Sequence, residues 1–93
     1  MRNALYIRTR LDDILVNMTY QSEQQTRRQK AMAETYFWIY NDGNLRKESE
    51  VENRLQNCYD ELKCFEMLGE KSPMKLRPIY EKINILKDFL RDD

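Results

Sequence analysis

The sequence predicts an all-α protein, because turn residues are scarce and apolar residues recur at helical spacing. The 93 residues include only two Gly and two Pro. These two residue types together make up roughly 12 % of an average soluble protein. Because β-hairpins and phosphate-binding loops need Gly and Pro for their turns, four such residues are too few to form the turns of a β-rich fold. We expect one domain over residues 1–93, built as a long helical hairpin plus a shorter third helix.

Two short segments divide the chain into three parts. Residues 41–44 (NDGN) and 69–73 (GEKSP) combine a glycine, which tolerates positive φ, with poor helix formers, and each separates runs of periodic apolar residues. Short connections of this kind join helices into antiparallel neighbours. We therefore expect three helices.

The first part predicts one continuous helix over about residues 3–40. Its first half carries apolar residues at the four-three-four spacing of a heptad stripe: Ile7, Leu11, Ile14 and Met18. The same register continues onto Gln21, Gln25 and Arg28, so the middle of the stripe is polar. No Gly or Pro interrupts this stretch, and Gln, Glu, Arg and Lys are good helix formers. Two helices with a polar connection near residues 21–25 are the alternative.

The second part predicts a helix over about residues 45–68. It has the most regular stripe in the chain: Val51, Leu55, Cys58, Leu62 and Phe65, widened by Tyr59, Met67 and Leu68.

The third part predicts a helix over about residues 78–91. Pro78 suits the first helical position because its φ is fixed and it has no N–H. Its stripe is Ile79, Ile83, Leu86 and Leu90, broadened by Tyr80, Ile85 and Phe89.

The unequal helix lengths predict self-association. A first helix of that length has no equally long partner within the chain, so coiled-coil-like packing would be completed by another copy or by a different protein. Gln21, Gln25 and Arg28 would then set register and partner choice. The charge is also uneven: residues 1–47 have eight Lys or Arg and five Asp or Glu, and residues 48–93 have eight and eleven. Such asymmetry favours antiparallel docking or assembly of copies, although self-complementary or solvated charge explains it too.

The run TYFWIY over residues 35–40 is the most unusual string in the chain. Consecutive bulky residues point in every direction around a helix, so one stripe cannot bury all of them. The predicted partner-binding residues are therefore Tyr36, Phe37, Trp38 and Tyr40, together with Gln21, Gln25 and Arg28. The alternative is that Phe37 caps the end of a bundle while Trp38 and the tyrosines keep their polar tips in water.

Basic residues near these aromatics suggest a second function, a small nucleic-acid-binding or regulatory protein. The candidate residues are Arg2, Arg8, Arg10, Arg27, Arg28 and Lys30. The sequence pI near 6.3 argues against it, since nucleic-acid-binding domains usually exceed about 9. A solvated helix face is the simpler interpretation.

Several chemistries lack the residues that they need. The chain has no His, which removes the commonest general base and the commonest zinc ligand. Cys58 and Cys64 are six positions apart and do not share a helix face, so we expect free thiols. No phosphate loop or nucleophile elbow occurs. We expect no enzyme activity, no cofactor and no metal.

The sequence also predicts where the protein is found. No window approaches the ~18 apolar residues of a membrane span. The first ten residues, MRNALYIRTR, lack the apolar core of a signal peptide. We expect an intracellular, cytoplasmic adaptor or assembly module, with the nucleus as the alternative if nucleic acid is the partner.

Overall fold

A computed structural model describes residues 1–17, 23–41 and 44–91. It contains four helices, α1 (Ala4–Val16), α2 (Glu23–Ile39), α3 (Glu48–Met67) and α4 (Pro73–Leu90). Between α2 and α3, the two-residue strands β1 (Tyr40–Asn41) and β2 (Asn44–Leu45) pair in antiparallel fashion. The predicted all-α class is confirmed.

Helix α4 is the central element of the core. It packs against both α2 and α3, while α1 packs chiefly against α2. Its predicted stripe is buried along most of its length: Ile79, Ile83, Ile85, Leu86 and Phe89. Each other helix adds one fully buried side chain, namely Ile7 from α1, Ile39 from α2 and Val51 from α3. The most extensively buried apolar face therefore belongs to the helix that packs against both α2 and α3.

The prediction of one continuous helix over residues 3–40 is wrong. Helix α1 ends at Val16, and Asn17 leaves helical geometry, with φ −95° and ψ 8°, while its side-chain Nδ2 donates to the Asp13 carbonyl at 2.8 Å. Because the residues that continue the apolar stripe beyond Asn17 are polar, a straight helix would bury no apolar side chains there. Separate helices bury Ile7 and Leu11 in the common core instead.

Two helices in place of one, the alternative that the sequence left open, is what the structure has. Helix α1 ends at Val16, before the predicted polar connection at residues 21–25, and α2 begins at Glu23. Gln21 lies outside the described residues, and Gln25 lies in α2. The length mismatch that predicted self-association is thereby removed.

The pairing of the long hairpin also differs from the prediction. The first and second parts of the chain were expected to pack together, yet α3 packs chiefly against α4. Helix α4 begins at Pro73 rather than Pro78, because the Ser72 carbonyl accepts the N–H groups of Lys75 and Leu76 at 3.1 and 3.0 Å. Pro78 lies inside α4 and forgoes the one hydrogen bond that its missing N–H would have donated.

The turn between α3 and α4 is a Schellman motif. The Glu70 N–H donates to the Phe65 carbonyl at 2.9 Å, and the Gly69 N–H donates to the Glu66 carbonyl at 3.1 Å. Gly69 has φ +74°, a left-handed conformation that side chains disfavour. This turn reverses the chain, so α3 and α4 form an antiparallel hairpin.

None of the four helices combines the length and the apolarity that crossing a bilayer requires, within the part of the chain that the structure describes.

Candidate interaction surface

The structure divides the predicted aromatic patch. Tyr36 is 2 % exposed and belongs to the core, whereas its neighbour Phe37 is 53 % exposed. The sequence-based alternative, in which Phe37 caps a bundle and the tyrosines reach into water, is therefore reversed for Tyr36 and Phe37. The Tyr36 hydroxyl also interacts with Arg10, and this hydrogen bond raises the pKa of the Arg10 guanidinium. Of these two aromatics, only Phe37 presents most of its ring to solvent.

Trp38 and Tyr40 are half-buried and hold elements of this chain together. The guanidinium carbons of Arg46 and Arg54 lie 5.0 and 4.7 Å from the Trp38 ring centroid. Arg46 Nε also donates to the Trp38 carbonyl at 2.7 Å. Because Arg54 belongs to α3, these cation–π contacts fasten the end of α2 to α3. Tyr40 pairs with Leu45 in the short ribbon.

The six basic candidates do not form one open cationic face. Three of them make ion pairs: Arg2 Nη2 with Asp88 Oδ1 at 3.1 Å, Arg27 Nη2 with Glu23 Oε1 at 3.0 Å, and Arg28 Nε with Glu81 Oε1 at 2.8 Å. The Arg28 pair is close, but its N–H is not aligned for a hydrogen bond. Arg8 and Lys30 are exposed, with no ion-pair partner among the described residues.

Asp88, which the sequence did not single out, joins α1 to the last turn of α4. Tyr6 Oη donates to Asp88 Oδ2 at 2.6 Å, Arg2 Nη2 donates to Oδ1, and the Arg2 N–H donates to the Phe89 carbonyl at 2.9 Å. Burial raises the pKa of the Asp88 carboxyl, but the hydrogen bonds from Tyr6 and Arg2 outweigh burial, and the net pKa is lowered. The hydrogen bond to Asp88 raises the Tyr6 pKa. The cluster is structural.

The most exposed apolar side chains lie at the far end of the α3–α4 hairpin. We call residues 59–80 the hairpin end. Met67 and Leu68 are each 80 % exposed, Tyr80 is 52 % exposed, and Tyr59 is exposed as well. The sequence assigned Tyr59, Met67 and Leu68 to a widened stripe, but α3 packs chiefly against α4, and these three side chains are exposed. A broad stripe therefore remains partly uncovered.

A groove runs between the two helices at the hairpin end. It has a volume of about 340 Å³ and is lined by Leu62, Glu66, Gly69, Glu70, Lys71, Leu76 and Tyr80. Leu62 and Glu66 of α3 thus lie opposite Leu76 and Tyr80 of α4, as antiparallel helices require. An apolar floor with polar rims is typical of a surface that binds another protein.

The two thiols differ in their burial, since Cys58 is buried and Cys64 is exposed. Cys58 and Cys64 are both free, as expected. Burial raises the pKa of the Cys58 thiol, which disfavours the reactive thiolate. Among the described residues, no three Cys, Asp or Glu side chains converge in a way that could hold a metal ion.

No protein-family model, curated protein or solved structure matches this chain.

Proposed function

We propose that this chain is a non-enzymatic protein–protein interaction and assembly module that binds its partner through the hairpin end. The observation that carries this proposal is the exposure of Met67 and Leu68, which are adjacent in sequence and each 80 % accessible beside an apolar groove. Exposed apolar side chains that lie together at one end of a small protein are typical of a binding surface.

The energetics favour covering this surface. Complete burial of a Met or Leu side chain contributes about 1.5–3 kcal/mol. Two such side chains, with part of Tyr80, are enough to anchor a partner. Methionine suits the purpose because its unbranched side chain adapts to irregular contacts.

The overall dimensions also support an incompletely covered fold. The accessible surface is 6603 Å², whereas a folded monomer of 11.4 kDa is expected to expose about 5,800 Å². The radius of gyration is 13.7 Å, against an expectation of about 12.3 Å for a domain of this length. The excess accessible surface and the larger radius of gyration are expected for a hairpin whose far end is not covered by another helix.

The hairpin end replaces most of the sequence-based candidates as the proposed contact surface. Tyr36, Trp38 and Tyr40 make contacts within the chain, and Arg28 is held by Glu81. Phe37 remains a candidate partner contact, because its ring is exposed, although it lies apart from the hairpin end. The nucleic-acid alternative is weakened because three of its six cations are already paired.

Selection of binding peptides tests the proposal. Peptides selected from a displayed library against the native chain, kept dilute to suppress self-association, should bind at the hairpin end. Met67→Ser combined with Leu68→Ser should then weaken their binding about tenfold or more, because two buried apolar contacts are lost. Titration calorimetry of the selected peptides measures the effect.

Helix α1 offers a matched control. Leu5 and Val16 are 73 % and 75 % exposed, so Leu5→Ser with Val16→Ser removes a similar amount of exposed apolar surface elsewhere. We expect this control to leave peptide binding unchanged. Selected peptides that bind the hairpin-end variant as tightly as the native chain would contradict the proposal.

A further inference from the structure

The solvent-facing side of α4 is a single stripe that carries positive charge and no carboxylate. Over residues 77–91, the exposed residues recur at spacings of three and four, as one face of a helix requires. They are Arg77, Tyr80, Asn84, Lys87 and Arg91, and we call them the α4 stripe. Every other residue in this range is buried or half-buried. At 1.5 Å per residue, the stripe is about 21 Å long.

The two carboxylates of α4 are paired with other parts of the chain. Arg28 of α2 lies against Glu81, with Nε and Oε1 2.8 Å apart. Arg2, which precedes α1, lies against Asp88, with Nη2 and Oδ1 3.1 Å apart. The three cations of the α4 stripe make no ion pair among the described residues. Their positive charge is therefore available to a partner.

An open cavity of about 330 Å³ lies along the C-terminal half of the α4 stripe. Asn84, Lys87 and Arg91 line it together with Asp88. The Asp88 oxygens already accept hydrogen bonds within the chain. The Lys87 ammonium and the Arg91 guanidinium only donate, so this lining favours a ligand that presents carboxylates or other anionic oxygens.

The other half of the α4 stripe reaches the hairpin end. Tyr80 belongs to the stripe and also lines the groove with Leu62 and Leu76. A partner seated in the groove is therefore in position to continue along α4. A helical segment matches the stripe, because its own residues recur at the same spacings of three and four.

The charge of α3 favours an acidic protein segment over a nucleic acid as the partner. Helix α3 packs beside α4 and carries six Asp or Glu but only two Lys or Arg. A nucleic acid duplex is wider than one helix, so its phosphates would also lie against these carboxylates. One acidic helix is narrow enough to follow α4 alone. The sequence pI near 6.3 favours the same choice.

On the basis of the proposed function, we infer that the partner at the hairpin end is an acidic helical protein segment that continues along the α4 stripe. Its apolar residues contact Tyr80 and the groove, and its carboxylates pair with Lys87 and Arg91. Exposed ion pairs each contribute little to affinity, so these pairs mainly select the partner, and salt screens them.

The composition of the binding peptides tests this inference. Peptides selected from the displayed library should be enriched in Asp and Glu on one side of their apolar residues. Each selected peptide is compared with an analogue in which Asn and Gln replace Asp and Glu. By titration calorimetry, the amide analogues should bind at least about tenfold more weakly. The difference should shrink in about 1 M salt, where the screening length is about 3 Å.

Charge reversal on α4 gives the second test. Lys87→Glu with Arg91→Glu should weaken binding of the acidic peptides about tenfold or more. Lys87→Gln with Arg91→Gln removes the same charges without adding carboxylates and should weaken binding by a smaller factor. Arg8→Glu with Lys30→Glu makes the same change of charge at exposed cations on α1 and α2, and should leave binding unchanged. Far-UV circular dichroism of each variant confirms that it folds.

The inference is overturned if the amide analogues bind as tightly as the acidic peptides, or if both variants at Lys87 and Arg91 bind them like the native chain. It is also overturned if a mixed-sequence oligonucleotide of about 20 nucleotides binds the α4 stripe more tightly than the acidic peptides do. Peptides that lose affinity for the Met67→Ser, Leu68→Ser variant yet show no preference for carboxylates would overturn this inference and leave the proposed function intact.

Discussion

Phe89→Ala is expected to lower the free energy of unfolding by about 3–5 kcal/mol, the usual loss for a phenylalanine in a packed core. The Phe89 side chain is completely buried, at the place where α4 meets the other helices. A domain of this size has a stability near the lower end of about 5–15 kcal/mol, so the variant will be largely unfolded at moderate temperature. Urea unfolding followed by circular dichroism and by fluorescence of the single tryptophan, Trp38, measures the loss.

Phe37→Ala is the matched control for Phe89→Ala. It removes the same atoms from a ring that is 53 % exposed, so we expect a change within about 0.5 kcal/mol. Similar losses for the two variants would contradict the placement of Phe37 outside the core.

Asp88→Asn is expected to lower the free energy of unfolding by about 1–3 kcal/mol at neutral pH, because the carboxylate charge is lost and the amide NH2 group cannot accept the hydrogen bond that one of the carboxylate oxygens accepted. Tyr6 Oη and Arg2 Nη2 donate to the two carboxylate oxygens at 2.6 and 3.1 Å. The Asp88 side chain is 28 % exposed, so water replaces these partners only in part. In urea unfolding, the loss should appear as separation of α1 from α4 at a lower urea concentration.

The lowered pKa of the Asp88 carboxyl predicts how the stability loss in Asp88→Asn changes with pH. Because the folded Asp88 carboxyl has a lowered pKa, its contribution to stability is present above the unfolded pKa of about 3.9 and is lost as the pH falls through the folded pKa. The difference between the native chain and Asp88→Asn should therefore be largest near neutral pH and shrink in acid.

Asp60→Asn serves as the control for Asp88→Asn. Asp60 is exposed and its Oδ1 accepts only from Gln56 Nε2, at 3.1 Å. Its replacement should leave both the stability and the pH profile unchanged. If Asp88→Asn unfolds with the same pH profile as the native chain, the link between α1 and α4 does not contribute as described.

Local patterns determined the parts of the fold that the sequence predicted well. The Ile79, Ile83 and Leu86 stripe is buried in α4, and the glycine after α3 ends that helix in a left-handed turn. Both depend on residues near each other in the chain. The break after Asn17 was harder to predict, because Gln, Glu, Arg and Lys have good helix propensity and the gain from folding back comes from tertiary burial.

The candidate surface could not be predicted because it depends on which helices cover each other. The periodicity of α3 shows an apolar stripe that includes Met67 and Leu68, but it does not show that α3 packs chiefly against α4. The pairing of Arg2 and Tyr6 with Asp88 likewise joins residues more than 80 positions apart. Pairings over such distances are set by the assembled fold.

Amide chemical shifts during titration with the selected peptides test most directly whether the hairpin end is the binding surface of this chain. We expect shifts that change with peptide concentration over residues 59–80 and stay constant in α1. Changes centred on α1, or constant shifts over residues 59–80 while the peptides bind, would contradict binding through this surface.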